Sequence, residues 1–137
     1  IIVAGPNDPE LVERAREIAG LEVRGAVEEV ELQRLLGGAS SLLFLSPYEG
    51  FGLPVIEAMA AGVPVVAANR ASLPEAVGEA GILVEPSDAG AIADILIELS
   101  RDSSRSESLA TAGRRRAADF TWERCAEIVL GALKEHA

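Results

Sequence analysis

Apolar and polar positions along this chain follow two periods, and the switches between them mark out the elements. The opening IIVAG is a β-branched apolar run ending at Gly5 and Pro6, as a buried strand does. NDPELVERAREIAG then sets Leu11, Val12, Ala15, Ile18 and Ala19 at helical spacing, with Asp8 as N-cap, Pro9 at the first helical position and Gly20 as the stop. LEVRG reads as a short strand, and EEVELQRLLGGA as a helix with Val30, Leu32, Leu35 and Leu36 as its apolar face. SLLFLS is apolar almost throughout, the pattern of a strand buried on both faces. PVIEAMAA starts a helix with Pro54 in its first turn and stops at Gly62; PVVAA is a fourth strand, SLPEAVG a short helix capped by Ser72, and GILVEP a fifth strand. SDAGAIADILIELSRD is a helix capped by Ser87 or Asp88. Helices over 104–118 and 121–136 follow, the second with Thr121 as N-cap and Glu123 in its first turn, where a negative charge complements the helix dipole. Strands alternating with helices predict an α/β domain with a parallel sheet.

Composition narrows the function. With 137 residues the chain suits one domain, 1–137, with a real core. Only 4% of residues are aromatic, so that core must be aliphatic. Twelve basic against 22 acidic residues give a net charge of -10, which argues against a nucleic-acid surface or an anionic membrane as partner. Cys125 is alone, with no CxxC partner; it reads as a small buried hydrophobe in a reducing compartment. No charged leader precedes an apolar run, and the longest apolar tract, 54–68, is broken by Glu57, Gly62 and Pro64. It falls short of the ~20 residues a spanning helix needs, so a cytoplasmic chain without a transmembrane segment is expected. No G-x-G-x-x-G follows the first strand and no GK[ST] occurs, which removes the dinucleotide and P-loop readings. Strand ends at Gly5 and Ser46 carry no phosphoacceptor Asp, and His136 has no catalytic arrangement around it.

The chemistry lies in SPYEGFGLPVIEAMAAGVPVVA, residues 46–67. In open parallel sheets ligands bind beyond the carboxyl ends of the strands, where residues 46–53 fall. Gly50 and Gly52 remove side chains and let backbone N–H groups approach a ligand; Pro54 starts a helix whose free N–H groups and dipole favour a phosphate or diphosphate. Glu49 and Glu57, seven residues between them, would be repelled by phosphate and are better used as acceptors from the hydroxyls of sugars. For Glu57 a first-turns charge that only answers the dipole is the competing reading.

SPYEGFGLPVIEAMAAGVPVVAANRASLPEAVGEAGILVEPSD resembles the donor-binding region of retaining glycosyltransferases of the GT-B fold, the large family-4 group, with its E-x7-E motif. FTWERCAEIVLGAL is similar to that family's closing helix, and IIVAG, VRGAV and ELQRLLGGAS fit its preceding elements, so the resemblance covers nearly the whole chain. It implies that Glu49, the candidate catalytic residue, takes the hydroxyls of the transferred hexose, and that the backbone of Gly50, Phe51, Gly52 and Leu53 holds hexose and diphosphate. Glu57 would bind the ribose, and Val27 with its neighbours would line the base. The family needs no metal or other cofactor, the nucleotide-sugar being the substrate, and has no established protein nucleophile; the pair is therefore not a hydrolytic carboxylate pair.

Two departures from the family pattern shape the expectations. The chain begins at what resembles the second strand of the donor domain, without the acceptor domain and without the Arg and Lys that clamp the diphosphate. Lys134 is the one lysine, and Arg24 and Arg70, the nearest substitutes, read as surface charges, as do Arg114, Arg115 and Arg116. Without the central strand a Rossmann order becomes flavodoxin-like, giving a three-layer sandwich with five parallel strands in the order 2-1-3-4-5. Residues 1–4 and 41–45 would then pair directly, unless a missing N-terminal domain or a second copy supplies the strand. The second departure is Ala71-Ser72 where many members have Gly-Gly. The expected function is the donor-binding domain of a hexosyltransferase using a nucleoside diphosphate sugar, inactive alone. The alternative is a catalytically inactive flavodoxin-like fragment, designed scaffold or interaction module that retains the motif.

Overall fold

The computed structural model describes residues 1–5 and 9–135. The expected Asp8 cap, the packing of Leu11 and the position of His136 lie outside what is described. Two compact units divide the chain, Ile1–Leu35 and Leu36–Ala137.

In the first unit, β1 (Ile2–Ala4) pairs in parallel with β2 (Glu22–Gly25) through the crossover helix α1 (Pro9–Arg16). Pro9 opens α1 as expected, but the helix stops at Arg16, short of the expected Ala19. Turn bonds take over, Ile18 N–H to the Ala15 carbonyl and Leu21 N–H to that of Ile18, and Gly20 follows at φ +80°. Ala15 is buried while Ile18 is left outside. The helix α2 (Glu29–Gly38) runs across the boundary of the units; Leu36 is buried, whereas Val30, placed on the apolar face by its spacing, is exposed.

The second unit contains β3 (Leu42–Phe44), α3 (Leu53–Ala61), β4 (Val65–Ala68), α4 (Leu73–Val77), β5 (Ile82–Val84), α5 (Ala89–Arg101), α6 (Ser103–Ala117) and α7 (Trp122–Glu135). Its parallel sheet has the order β3-β4-β5. The strands described thus form two parallel ladders, and a single five-stranded sheet is not shown. Burial on both faces belongs to β4, the middle strand, every residue of which is buried. The run SLLFLS forms only the three-residue β3, at the edge of this ladder, and Leu43 is partly exposed. An apolar run marks a strand but does not say which strand lies in the middle.

Side chains from both faces of the sheet build the core. Val66, Val84, Ile92 and Leu99 form one cluster, to which Leu45, Ile95 and Leu109 add. Val55, Ala58 and Met59 of α3 and Leu73 and Val77 of α4 are fully buried. Gly113 brings α6 close to α3: a Cβ there would stand 3.3 Å from Met59 Cγ. Caps end the ambiguity at several helix starts. Asp88, not Ser87, accepts from Ala91 N–H at 3.0 Å, Asp102 accepts from Arg105 N–H at 2.9 Å, and Thr121 from Arg124 N–H at 3.1 Å. The last helix, α7, buries none of its residues, so Cys125 is exposed rather than a buried hydrophobe. Among the described residues no helix is long and apolar enough to cross a membrane.

Gly81, at the entry to β5, provides a test of this packing. A Cβ at that position would stand 2.9 Å from the carbonyl oxygen of Val65 and 2.9 Å from Val77 Cγ1. The oxygen belongs to the middle strand and cannot swing aside. Gly81→Ala is expected to cost about 1–3 kcal/mol, read as a lower urea midpoint with an unchanged slope. Gly131→Ala, in the exposed middle of α7 with nothing within 4 Å, is expected to be neutral or slightly stabilising.

Candidate functional site

Between β3 and α3 the chain makes a loop in which the Tyr48, Glu49 and Gly52 carbonyls accept hydrogen bonds, while the N–H groups from Gly50 to Leu53 find no acceptor among the described residues. The Ser46 hydroxyl donates to the Tyr48 carbonyl at 3.2 Å, and the Ser72 hydroxyl donates to the Glu49 carbonyl at 2.9 Å. Gly52 ends the loop as N-cap of α3, in the left-handed region at φ 94°, ψ 43°. A Cβ there would meet Leu73 Cδ2 at 2.8 Å. Two separate constraints therefore require glycine: the sign of φ and the approach of α4. The Gly52 carbonyl accepts the first helical bond, from Val55 N–H at 3.0 Å. Pro54, in the first turn, has no N–H to satisfy. The N–H groups of Gly50, Phe51, Gly52 and Leu53 have no acceptor among the described residues. Four free donors beside the positive end of a nine-residue helix make an anion cradle.

Glu49 and Glu57 flank this cradle in sequence, one before the glycines and one on the fifth residue of α3. Both are half-buried, and neither carboxylate has a hydrogen bond or ion pair among the described residues. The other glutamates near arginines behave differently. Arg24 bridges Glu22 and Glu31 at 2.7 and 3.0 Å, Arg34 holds Glu31 at 2.8 Å, Arg70 holds Glu85 at 2.6 Å, and Arg105 pairs with Glu98. The Arg34 hydrogen bond holds the Glu31 carboxyl below its ordinary value, and the Arg70 hydrogen bond does the same for Glu85. Two carboxylates on half-buried residues, with no cation beside them among the described residues, are suited to accept from the hydroxyls of a ligand. Arg24 and Arg70, the nearest candidates for diphosphate clamps and read as surface charges, are engaged by carboxylates.

The structure thus brings Glu49, Gly50, Phe51, Gly52, Leu53 and Glu57 together on one loop and the start of one helix. Val27 lies in the first unit, half-buried on the connection from β2 to α2. Sequence reasoning missed the residues that support the loop from elsewhere in the chain. Ser72 precedes α4, but its hydroxyl makes no cap bond to that helix and reaches Glu49 instead. Arg116, read as part of a solvated basic patch, is half-buried; it donates to the carbonyls of Glu75 at 2.6 Å and Ala76 at 3.2 Å. Phe120 meets Phe51 edge to face at 5.5 Å. The scarcity of aromatics was the one available signal for that pair, since the chain has only three phenylalanines.

Comparison with known proteins gives the family of the chain. The family model described as glycosyl transferases group 1 matches residues 1–102. O-antigen chain mannosyltransferase B of Escherichia coli is 39% identical over 125 residues, which is 91% of this chain and 33% of that protein. The sucrose-phosphate synthase of Thermosynechococcus elongatus superposes with a TM-score of 0.76 at 30% identity, over 98% of this chain and 37% of that one. Anabaena HepE, crystallised in complex with UDP-glucose, superposes with a TM-score of 0.82 over 98% of this chain and 40% of its own; at 20% identity it shows the α/β, Rossmann-like fold alone. The chain spans about a third of the length of the curated relatives it matches.

Proposed function

The chain belongs to the group 1 glycosyltransferases, and from that premise we propose that it is the nucleotide-sugar donor-binding domain of a retaining hexosyltransferase. One observation carries this reading: four backbone N–H groups at the start of α3 without acceptors among the described residues, flanked by two half-buried carboxylates without partners among them. The N–H groups of Gly50, Phe51, Gly52 and Leu53 hold the diphosphate and the adjoining hexose. Glu49 accepts from hexose hydroxyls, Glu57 from the ribose hydroxyls, and Val27 lines the base. The sources of support differ in kind: the motif residues are in this chain, whereas UDP-glucose is bound by HepE and mannosyl transfer is performed by the Escherichia coli relative.

In the reaction so assigned, the bond between the anomeric carbon and the phosphate oxygen breaks, the acceptor oxygen takes its place on the same face, and the acceptor's hydroxyl proton passes to the departing phosphate oxygen. Negative charge grows on the departing diphosphate. The N–H cradle and the dipole of α3 stabilise that charge without reorganising, and this reading requires no metal. No cation of this chain is assigned to the diphosphate, and the acceptor site is assigned to the remainder of a longer protein. The single five-stranded order 2-1-3-4-5 belongs to the same proposal, supported by the parallel direction of all three strand pairings.

Calorimetric titration of the chain with UDP, GDP and ADP tests it. Saturable binding of at least one nucleotide is the expected result. No heat with any of the three would favour a scaffold that keeps the motif without the site.

A further inference from the structure

The N–H groups of Gly50, Phe51 and Gly52 have no acceptor among the described residues, so side chains from elsewhere in the unit hold the shape of this part of the loop. Phe51 stands between two residues that have no Cβ, and its ring is nearly half exposed. Its aromatic contact is Phe120, with ring centroids 5.5 Å apart and planes at 83°. Phe120 itself sits in the turn between α6 and α7, where its N–H donates to the Ala117 carbonyl at 3.0 Å. Over its ring lies the guanidinium of Arg116, with Cζ 4.6 Å from the centroid.

Arg116 is fixed in turn. Its Nη2 and Nε donate to the Glu75 and Ala76 carbonyls in the last turn of α4, and Nη1 lies 3.4 Å from Asp119 Oδ2. Gly78 leaves it room, since a Cβ there would lie 3.4 Å from Arg116 Nε. The start of α4 is also the other support of the loop, through Ser72 on the Glu49 carbonyl and Leu73 against Gly52. One guanidinium therefore braces both sides of the loop, one side through α4 and the other through Phe120.

We propose that Phe120, seated on Arg116, is a positioning residue for the donor loop and acts through the Phe51 ring. The proposal rests on the donor-site reading given above. An edge-to-face pair holds a ring by geometry as well as by area, and an aliphatic side chain of similar bulk supplies only the area. Loss of the pair leaves the N–H groups of Gly50 to Leu53 free to sample shapes that do not converge on a phosphate.

The test titrates native, Phe51→Leu, Phe120→Leu, Phe120→Tyr and Phe51→Leu/Phe120→Leu chains with whichever of UDP, GDP or ADP the native chain binds. Phe120→Leu is expected to weaken binding about three- to tenfold, Phe120→Tyr to restore it, and the double variant to bind no more weakly than Phe51→Leu. Backbone 15N order parameters are expected to fall at Gly50 and Gly52 in Phe120→Leu while those of β4 hold. Equal affinity of Phe120→Leu and native chain overturns the positioning role, as do additive effects in the double variant. Should Phe120→Leu fail to fold, the surface-facing Phe51→Leu decides: unaltered affinity there overturns the role. A native chain that binds none of the three nucleotides overturns the donor-site reading and this role with it, so the two failures are distinguishable.

Discussion

A Glu57→Gln chain is expected to bind its nucleoside diphosphate about ten- to a hundredfold more weakly than the native chain, with the fold intact. Hydrogen bonds to a charged acceptor contribute roughly 1.5–3 kcal/mol, about twice those between neutral groups, and 1.4 kcal/mol is a factor of ten in affinity. Gln keeps the shape but withdraws the charge and one acceptor oxygen. No described residue pairs with that carboxylate, so among the described residues no interaction is lost with it. Its contribution to the dipole of α3 is small at the fifth helical position, beyond the first turn where such charges count. If Glu57 served only the dipole, the substitution would move stability by a few tenths of a kcal/mol and leave the titration unchanged. The choice of nucleotide separates the two further. With a 2′,3′-dideoxy nucleoside diphosphate the native and Glu57→Gln chains should bind alike, since the hydroxyls that Glu57 accepts from are gone. A Gln variant that is weakened equally toward both nucleotides would remove the ribose assignment.

What the sequence made legible, and what it did not, follows from how local each feature is. The turn from β3 into α3 and the stop at Gly62 could be read because glycine and proline act on their own backbone; both Gly52 and Gly62 occupy the left-handed region. The motif acids and the glycines between them were legible for the same reason, all lying within nine consecutive residues. Burial was less accessible. The apolar character of SLLFLS and PVVAA is similar, but only the second occupies the middle of its sheet. Helical spacing gave α7 an apolar face, yet spacing does not supply a surface to cover it, and Cys125 with its neighbours stays exposed. Least legible were the supports of the site. Ser72 is 23 residues from the carbonyl it binds, and Arg116 is 41 residues from Glu75. Such partners are chosen by the packing of α4 and α6 against α3, and no short pattern announces them.

Gly52→Ala is expected to lower both stability and nucleotide affinity, and the combination is what ties the cradle to the fold. At φ 94° an L residue is strained, at a cost of roughly 1–2 kcal/mol. The new methyl would also stand 2.8 Å from Leu73 Cδ2. Leu73 is fully buried, so it cannot yield by swinging into solvent; the loop backbone must move instead. That movement displaces the carbonyl that accepts from Val55 N–H, and with it the free N–H groups on either side. A loss of about 1–3 kcal/mol in stability should therefore accompany at least a tenfold loss of affinity. Gly50→Ala is the matched comparison, because no atom lies within 4 Å of its Cβ position and its φ is not in the left-handed region. That variant should keep the native thermal midpoint, so any affinity it loses reports the close approach of a ligand to the backbone. A Gly52→Ala chain that is destabilised yet binds like the native protein would show that the N–H groups of this turn do not hold the diphosphate, leaving the helix without its assigned part in stabilising the leaving group.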